Sequence, residues 1–164
     1  MSAFGSPRIP SAAISVRPFQ PEDLGWLFLE PEQQMWLGAT SPVLDEDYGR
    51  QVRECGPCWT VRDSKGWVLG AGGFQEFGKG YAIAWALLAQ GIGRDHLAMT
   101  RVARAWIAEA PYTRVEALIR DDWPPAARWA RLLGLRPVFR RHSAELDRFW
   151  IWARPDRPVL SVAA

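Results

Sequence analysis

The sequence predicts an α/β or α+β domain in which helices cover both faces of a mixed sheet. Three observations predict this fold class. Segments that alternate apolar and polar residues recur along the chain, and segments with helical spacing separate them. The hydrophobic period changes from two to about 3.6 after the turn at residues 91–93. With 164 residues, 48% of them hydrophobic, the chain can bury one core without a stabilising metal or disulfide.

The elements of the first half are predicted from alternation, from acidic or proline-containing helix starts, and from glycine turns. The alternating pattern predicts strands, and a Pro-Glu-Asp run after the first strand predicts a helix start. In chain order, we expect a strand at residues 14–19, a short helix at 24–29, an irregular segment at 30–44, a helix from Asp45 to about Glu54, and a hairpin formed by residues 59–62 and 67–77.

The second half is predicted in the same way. Bulky residues alternate with alanine in residues 81–88, which predicts a central strand. After residues 91–93, a stripe of apolar residues at helical spacing predicts the longest helix, which Pro111 ends. The remaining predicted elements are a strand at residues 114–120, a helix at 126–133 that Gly134 closes, and a last hairpin formed by residues 139–142 and 149–153.

The organisation of the chain is predicted from its ends and its apolar content. We expect residues 1–13 to be a flexible segment, residues 14–154 a single domain and residues 155–164 a C-terminal tail. No window approaches about 18 uninterrupted apolar residues, and the N-terminus lacks the apolar run of a secretory signal. We therefore expect a cytoplasmic protein that does not enter a membrane.

Cys55 and Cys58 form a Cys-Gly-Pro-Cys motif, the sequence of a thioredoxin-type redox site. In such a site a helix begins at the first cysteine. Here a helix-like stretch precedes the motif and a strand-like stretch follows it, which favours two thiols at a helix-to-strand corner over a redox site. No spacing of Cys, His and Asp predicts a metal site.

The turn before the longest helix predicts an anion-binding site. Backbone N–H groups in the first turn of a helix lack intrahelical partners and attract phosphate. Gly91 and Gly93 carry no Cβ and allow a close approach, and Arg94 adds a charged donor. Residues 83–164 hold thirteen basic and eight acidic residues, which favours an anion in this half. The spacing matches neither a P-loop nor a dinucleotide fingerprint, so a plain tight turn with an exposed arginine is the alternative.

Two motifs in this half resemble the GNAT N-acetyltransferase superfamily. The segment Gln-Gly-Ile-Gly at residues 90–93 looks like the family's acetyl-CoA pyrophosphate loop. Residues 127–135 end in Leu-Gly-Leu and resemble the helix that the family closes with Leu-Gly-Phe. The resemblance covers about residues 14–154 and implies a GNAT-like mixed, mostly antiparallel sheet. Residues 84–87 and 128–130 are also similar to GNAT-like proteins of tailed bacteriophages.

The resemblance implies acetyl-CoA as the cofactor and an amine, in a small molecule or a protein, as the acetyl acceptor. It also implies that the strand before the loop and the loop itself hold the cofactor. The cofactor-binding candidates are Trp85, Ala86, Leu87, Gln90, Gly91, Ile92, Gly93 and Arg94.

Acyl transfer to an amine requires a neutral amine, so a base is expected near the acceptor. The catalytic candidates are Glu116 and Tyr81, with Glu76 and Asp121 as further candidates for the base. Glu116 is the best placed, because the flanking residues Val115 and Ala117 turn to the opposite face of their strand. It could act through a water molecule.

The sequence also departs from the family pattern. Ala130 stands where the family often carries a Tyr general acid, and residues 81–88 lack the Glu base of many members. In one register Leu88 takes the place of the loop's Gln or Arg; in the other, Gln90 fills it and Asp95 replaces the last small residue.

These departures leave alternatives open. One alternative is a catalytically silent GNAT-like phage virion, assembly or interaction protein. The ten tryptophans are compatible with a homodimer surface or with contacts to virion proteins, although burial in the core is the default. Nucleic-acid binding by the arginine-rich second half is the weakest alternative, because no known motif supports it.

Overall fold

Seven strands and four α-helices are present in the computed structural model, which describes residues 14–78, 80–141 and 149–155. The strands are β1 (Ile14–Pro18), β2 (Cys58–Asp63), β3 (Val68–Glu76), β4 (Tyr81–Leu88), β5 (Arg114–Arg120), β6 (Arg136–Arg141) and β7 (Phe149–Ala153). The α-helices are α1 (Pro31–Trp36), α2 (Glu46–Glu54), α3 (His96–Glu109) and α4 (Pro124–Leu132), and short 3-10 helices span Pro21–Trp26 and Gly93–Asp95.

The strands form one sheet in the order β1-β2-β3-β4-β5-β7-β6. Neighbouring strands pair antiparallel except β4 and β5, which are parallel. The predicted mixed, mostly antiparallel sheet is therefore confirmed, and β4 is central as its alternating residues predict. The chain enters β5 by a crossover through α3, the connection that parallel neighbours require.

A hydrophobic core lies on each face of the sheet. On one face, Met99, Val102 and Trp106 of α3 pack with residues of α4 on the sheet, as the helical stripe predicts. On the other face, Leu24 and Leu27, from the segment between β1 and α1, pack with further apolar residues against β3 and β4. Helices thus cover both faces, and β3 and β4 contribute residues to both cores.

Two predictions for residues 21–44 are wrong. Residues 24–29 were expected to be helical, but the 3-10 helix ends at Trp26 and Leu29 forms an antiparallel bridge with Ala89, beyond the end of β4. This tertiary pairing outweighs the helical preference of leucine. The segment expected to be irregular contains α1, a helix of six residues that begins at a proline. Its short length leaves little periodic signal, so packing rather than propensity accounts for it.

The C-terminal end of α3 is held by a buried arginine from the last strand region. The Arg154 guanidinium donates hydrogen bonds to the carbonyl oxygens of Ile107 (2.7 Å), Ala110 (3.1 Å) and Tyr112. A cation at this end complements the helix dipole and satisfies carbonyls that have no intrahelical donor. Because Arg154 directly follows β7, these bonds fix the end of α3 relative to β7.

The predicted flexible segment at residues 1–13 and the tail beyond residue 155 lie outside the described residues, and both stay predictions. Within the described residues, no helix has the length and apolar character needed to cross a bilayer.

Candidate functional site

Strands β4 and β5 are paired at one end and separated at the other. Their parallel pairing stops at Ile83 and Glu116. However, β4 continues to Leu88 and β5 to Arg120. The strands therefore diverge, and a gap opens in the middle of the sheet. We call this gap the β4–β5 cleft.

A cavity of about 880 Å³ fills the cleft and reaches both faces of the sheet. Helices α3 and α4 line it on one face, for example through Met99 and Trp129. Helices α1 and α2 line it on the other face, for example through Trp36 and Tyr48. The volume falls within the range of about 300–1,000 Å³ that small-molecule sites occupy.

The cavity meets the start of α3 at the predicted glycines. Gly91 and Gly93 have φ angles of +67° and +57°, which glycine adopts without the steric cost of a Cβ atom. A Cβ built on either residue would meet no protein atom within 4 Å, so the space beside both is open. The exposed Arg94 makes no hydrogen bond or ion pair with any residue that the structure describes. The α3 start therefore combines open backbone with an exposed arginine that forms no ion pair among the described residues, although the Asp95 carboxylate lies next to it in the chain.

The predicted cofactor-binding residues all lie in or beside the cavity. Trp85 packs edge-on against Phe19, with ring centroids 6.3 Å apart, and does not cover the glycines. Gln90 and Arg94 are exposed beside the cavity. Of the predicted residues, six line the cavity: Trp85, Ala86, Leu87, Gly91, Ile92 and Gly93.

A buried glutamine that the sequence analysis did not single out contacts the open edge of β4. Gln33 of α1 donates from Nε2 to the carbonyl oxygen of Ala86 (3.0 Å) and accepts from the N–H of Leu88 (2.7 Å) at Oε1. The sequence gives no signal for this contact, because it depends on where β5 leaves β4.

The catalytic candidates Glu116 and Tyr81 lie together at the closed end of the cleft. Glu116 is 6% exposed and accepts hydrogen bonds from the Tyr81 hydroxyl (2.7 Å) and from Arg114 Nε (2.6 Å). Neither Glu116 nor Tyr81 lines the cavity, but Ile83, the ladder partner of Glu116, does. As expected, Glu116 faces away from the core that contains Val115.

The ionisation of Tyr81 sets its role in this cluster. Partial burial and the adjacent Glu116 carboxylate raise the pKa of Tyr81 to about 12. The phenol therefore keeps its proton at neutral pH and donates it in a hydrogen bond to Glu116. A protonated phenol suits Tyr81 as a hydrogen-bond donor that holds Glu116, and a catalytic role for Tyr81 stays a prediction.

The further base candidates lie away from the cavity walls. Glu76 accepts a hydrogen bond from the Tyr112 hydroxyl (2.6 Å). Asp121 accepts from Trp150 Nε1 (2.9 Å) and pairs with Arg140. Both carboxylates have protein donors, as Glu116 does, and their roles as bases stay predictions.

The Cys-Gly-Pro-Cys motif lies at a corner between α2 and β2, as its flanks predict. Cys55 and Cys58 are free and half-buried. Because α2 ends at Glu54 and β2 begins at Cys58, no helix starts at the motif to activate its first thiol. Desolvation raises the pKa of Cys58 to about 11, so this thiol keeps its proton at neutral pH. Within the described ranges, no three His, Cys, Asp or Glu side chains form a group that could hold a metal ion.

Comparison with solved structures identifies the architecture. A Bordetella pertussis protein assigned to the GNAT family of acetyltransferases superposes with a TM-score of 0.63 at 20% identity, over 90% of this chain and 98% of that one. A GNAT-family acetyltransferase from Bacillus anthracis gives 0.63 at 14% identity, over 86% and 93%. The chain has the GNAT fold. No protein-family model and no curated protein matches the sequence.

A third structure with the GNAT fold contains ligands. It is the spermidine N-acetyltransferase from Vibrio cholerae in complex with CoA and spermine, with a TM-score of 0.61 at 12% identity, over 87% of this chain and 94% of that one. The fold expected from the sequence resemblance is thus confirmed. The narrower similarity to phage proteins gains no support from these structures and stays a prediction.

Proposed function

We propose that the protein is an N-acetyltransferase that transfers an acetyl group from acetyl-CoA to an amine. The observation that carries this proposal is the β4–β5 cleft, which leads through the sheet to the open glycines at the α3 start. Neighbours with the same fold act as acetyltransferases, and one was solved with CoA and spermine.

The residues of the α3 start fit a diphosphate. Open space beside Gly91 and Gly93 gives an anion access to the first backbone N–H groups of the helix region. Arg94 would add charge-assisted hydrogen bonds, since its guanidinium is exposed and forms no ion pair with a described residue. Together these groups would hold the diphosphate of acetyl-CoA, and the backbone of residues 85–87 would hold its pantetheine arm.

Acetyl-CoA would supply the acetyl group as an activated thioester. The chain's own contribution is to position that ligand and to accept a proton from the amine. Glu116 is the proposed base and would act through a water, because its side chain does not line the cavity. Tyr81 and Arg114 hold the carboxylate in one orientation through their hydrogen bonds.

The family's usual acid position offers no proton here. Ala130 is 1% exposed and lies in the core, without a hydroxyl. In this proposal the departing thiolate therefore takes its proton from solvent. The same observation supports a second candidate, a protein that binds coenzyme A without turning it over.

An acetyl-transfer assay distinguishes these candidates. The purified protein is incubated with acetyl-CoA and a panel of primary amines, including polyamines, aromatic amines and peptides with free N-termini, and products are detected by mass spectrometry. We expect at least one amine to gain an acetyl group at a rate above that of a protein-free control. Binding of coenzyme A without any acetylated product would favour the silent candidate, and absence of both would refute the proposal.

A further inference from the structure

The open edge of β4 is occupied by a side chain rather than by a strand. Gln33 is 6% exposed, and its amide bonds both the carbonyl of Ala86 and the N–H of Leu88. These two backbone groups flank Leu87, and a neighbouring strand would normally pair with them. At this place, the Gln33 amide thus forms the two hydrogen bonds that β5 would form if it were still paired with β4.

The need for such a contact follows from the divergence of the strands. Pairing with β5 ends at Ile83, so the later backbone groups on this edge need other partners. Further along the edge, the N–H of Glu30 donates to the carbonyl of Leu88 (3.1 Å), and the N–H of Gln90 donates to the carbonyl of Phe28 (2.8 Å). Main-chain groups therefore close the end of the edge, and Gln33 closes the part inside the cavity.

We infer that Gln33 is a placeholder that occupies the β4 groups a ligand's amide would bind, and that it sets the affinity of the cleft for the cofactor arm. This inference rests on the proposed function. The pantetheine arm of coenzyme A carries secondary amides, each with one N–H donor and one carbonyl acceptor. The Gln33 amide presents the same donor and acceptor to β4.

Gln33 and a ligand amide compete directly for one group, the backbone N–H of Leu88. The carbonyl of Ala86 has two lone pairs and can accept two hydrogen bonds, but the N–H of Leu88 has one proton to donate. At 2.7 Å from Gln33 Oε1, that N–H is fully used. An arriving amide carbonyl must therefore displace Gln33 before it bonds Leu88, and the lost hydrogen bonds reduce its affinity.

Calorimetric titration of matched variants tests this inference. Gln33→Met keeps the length of the side chain but removes both hydrogen bonds, so the groups of β4 become available to the ligand. We expect this variant to bind coenzyme A roughly three- to tenfold more tightly than the wild type. The nucleotide part of coenzyme A without the pantetheine arm, 3′-phosphoadenosine 5′-diphosphate (called phospho-ADP below), should bind both proteins equally. Gln34→Met, at the next position of α1, should change neither affinity.

A measurement on the unmodified protein covers the case in which Gln33→Met does not fold. In nuclear magnetic resonance spectra, the Gln33 side-chain amide protons should shift towards those of a solvated amide when coenzyme A is added. Phospho-ADP should leave these signals in place.

The outcomes separate this inference from the proposed function. Unchanged or weaker coenzyme A binding by Gln33→Met, or static Gln33 signals in the presence of bound coenzyme A, would overturn the placeholder role alone. If the wild type binds neither coenzyme A nor phospho-ADP, the proposed function falls and the placeholder role falls with it.

Discussion

The two ends of the β4–β5 pair contain the same two strands but are stabilised in different ways. At the closed end, main-chain pairing joins the strands, and the Glu116 carboxylate is satisfied by Tyr81 and Arg114. At the open end, pairing is absent beyond Ile83 in the described ladder, and a side chain from α1 bonds the edge of β4.

The difference separates a structural part from a binding part. Groups at the closed end already have protein partners, so this end fixes the point along the strands at which β4 and β5 begin to diverge. At the open end, the α3 start has space beside its glycines and a positive charge without a partner among the described residues. Changes at the open end should therefore alter ligand affinity, and changes at the closed end should alter turnover or stability.

The largest effect is expected from Glu116→Gln. If Glu116 accepts the proton of the amine, the amide should lower kcat by roughly 100-fold while coenzyme A affinity stays the same. Glu76→Gln is the matched control, because Glu76 also accepts a hydrogen bond from a tyrosine and also does not line the cavity. The two differ in position: the ladder partner of Glu116, Ile83, lines the cavity, whereas that of Glu76, Ala82, does not. Steady-state kinetics check both variants, and equal kcat values for them would rule out Glu116 as the base.

Arg94→Glu tests the charge at the open end. Loss of a charge-assisted hydrogen bond and reversal of the charge should weaken coenzyme A binding by roughly 30-fold or more. Arg101→Glu makes the same charge change at an exposed position farther along α3. Calorimetry should find a much smaller loss there. Similar losses for the two variants would mean that only long-range attraction is involved.

Gly93→Ala tests the backbone of the α3 start. Alanine at a positive φ costs about 1–2 kcal/mol, and its Cβ would enter the open space where the ligand approaches. We expect a roughly five- to tenfold loss of coenzyme A affinity. Gly66→Ala also introduces alanine at a positive φ, with open space around it, in the turn between β2 and β3. It should lose similar stability in a urea titration and bind coenzyme A normally, so a normal affinity of Gly93→Ala would count against the site.

The smallest effect is expected from Tyr81→Phe at the closed end. Loss of the hydrogen bond to Glu116 should reduce the free energy of unfolding by about 1 kcal/mol at neutral pH. The folded pKa of Tyr81, about 12, lies above the ordinary value of 10.0, so its contribution is complete below pH 10 and is lost as the pH rises towards 12. The stability gap between wild type and variant should therefore stay constant up to pH 10 and narrow between pH 10 and pH 12 in urea unfolding. A gap independent of pH in this range would contradict the raised pKa.

The strands that form the cleft are predictable from sequence because their patterns are local. Alternation fixes β4 at Tyr81–Leu88 and β5 at Arg114–Arg120, and both were predicted with these bounds. The region that contacts them was not predictable in this way. Leu29 becomes extended through its bridge to Ala89, a partner sixty residues later in the chain. Helix α1 is too short to produce a periodic signal.

In the candidate site, too, some residues are predictable from local sequence and others depend on tertiary contacts. The glycines and Arg94 of the α3 start are visible in sequence, because a turn between a strand and a helix has characteristic residues. The pairing of Tyr81 with Glu116 and the contact of Gln33 with β4 depend on tertiary positions. No local pattern contains that information. The resemblance to a family therefore predicts the loop at residues 90–93 but not the side-chain contacts around it.

Calorimetric titration of the wild-type protein with coenzyme A tests most directly whether the open end of the cleft is a cofactor site. The account predicts saturable heat with one ligand bound per chain and loss of most of that heat in Arg94→Glu. Absence of binding at millimolar coenzyme A by a folded protein would contradict it.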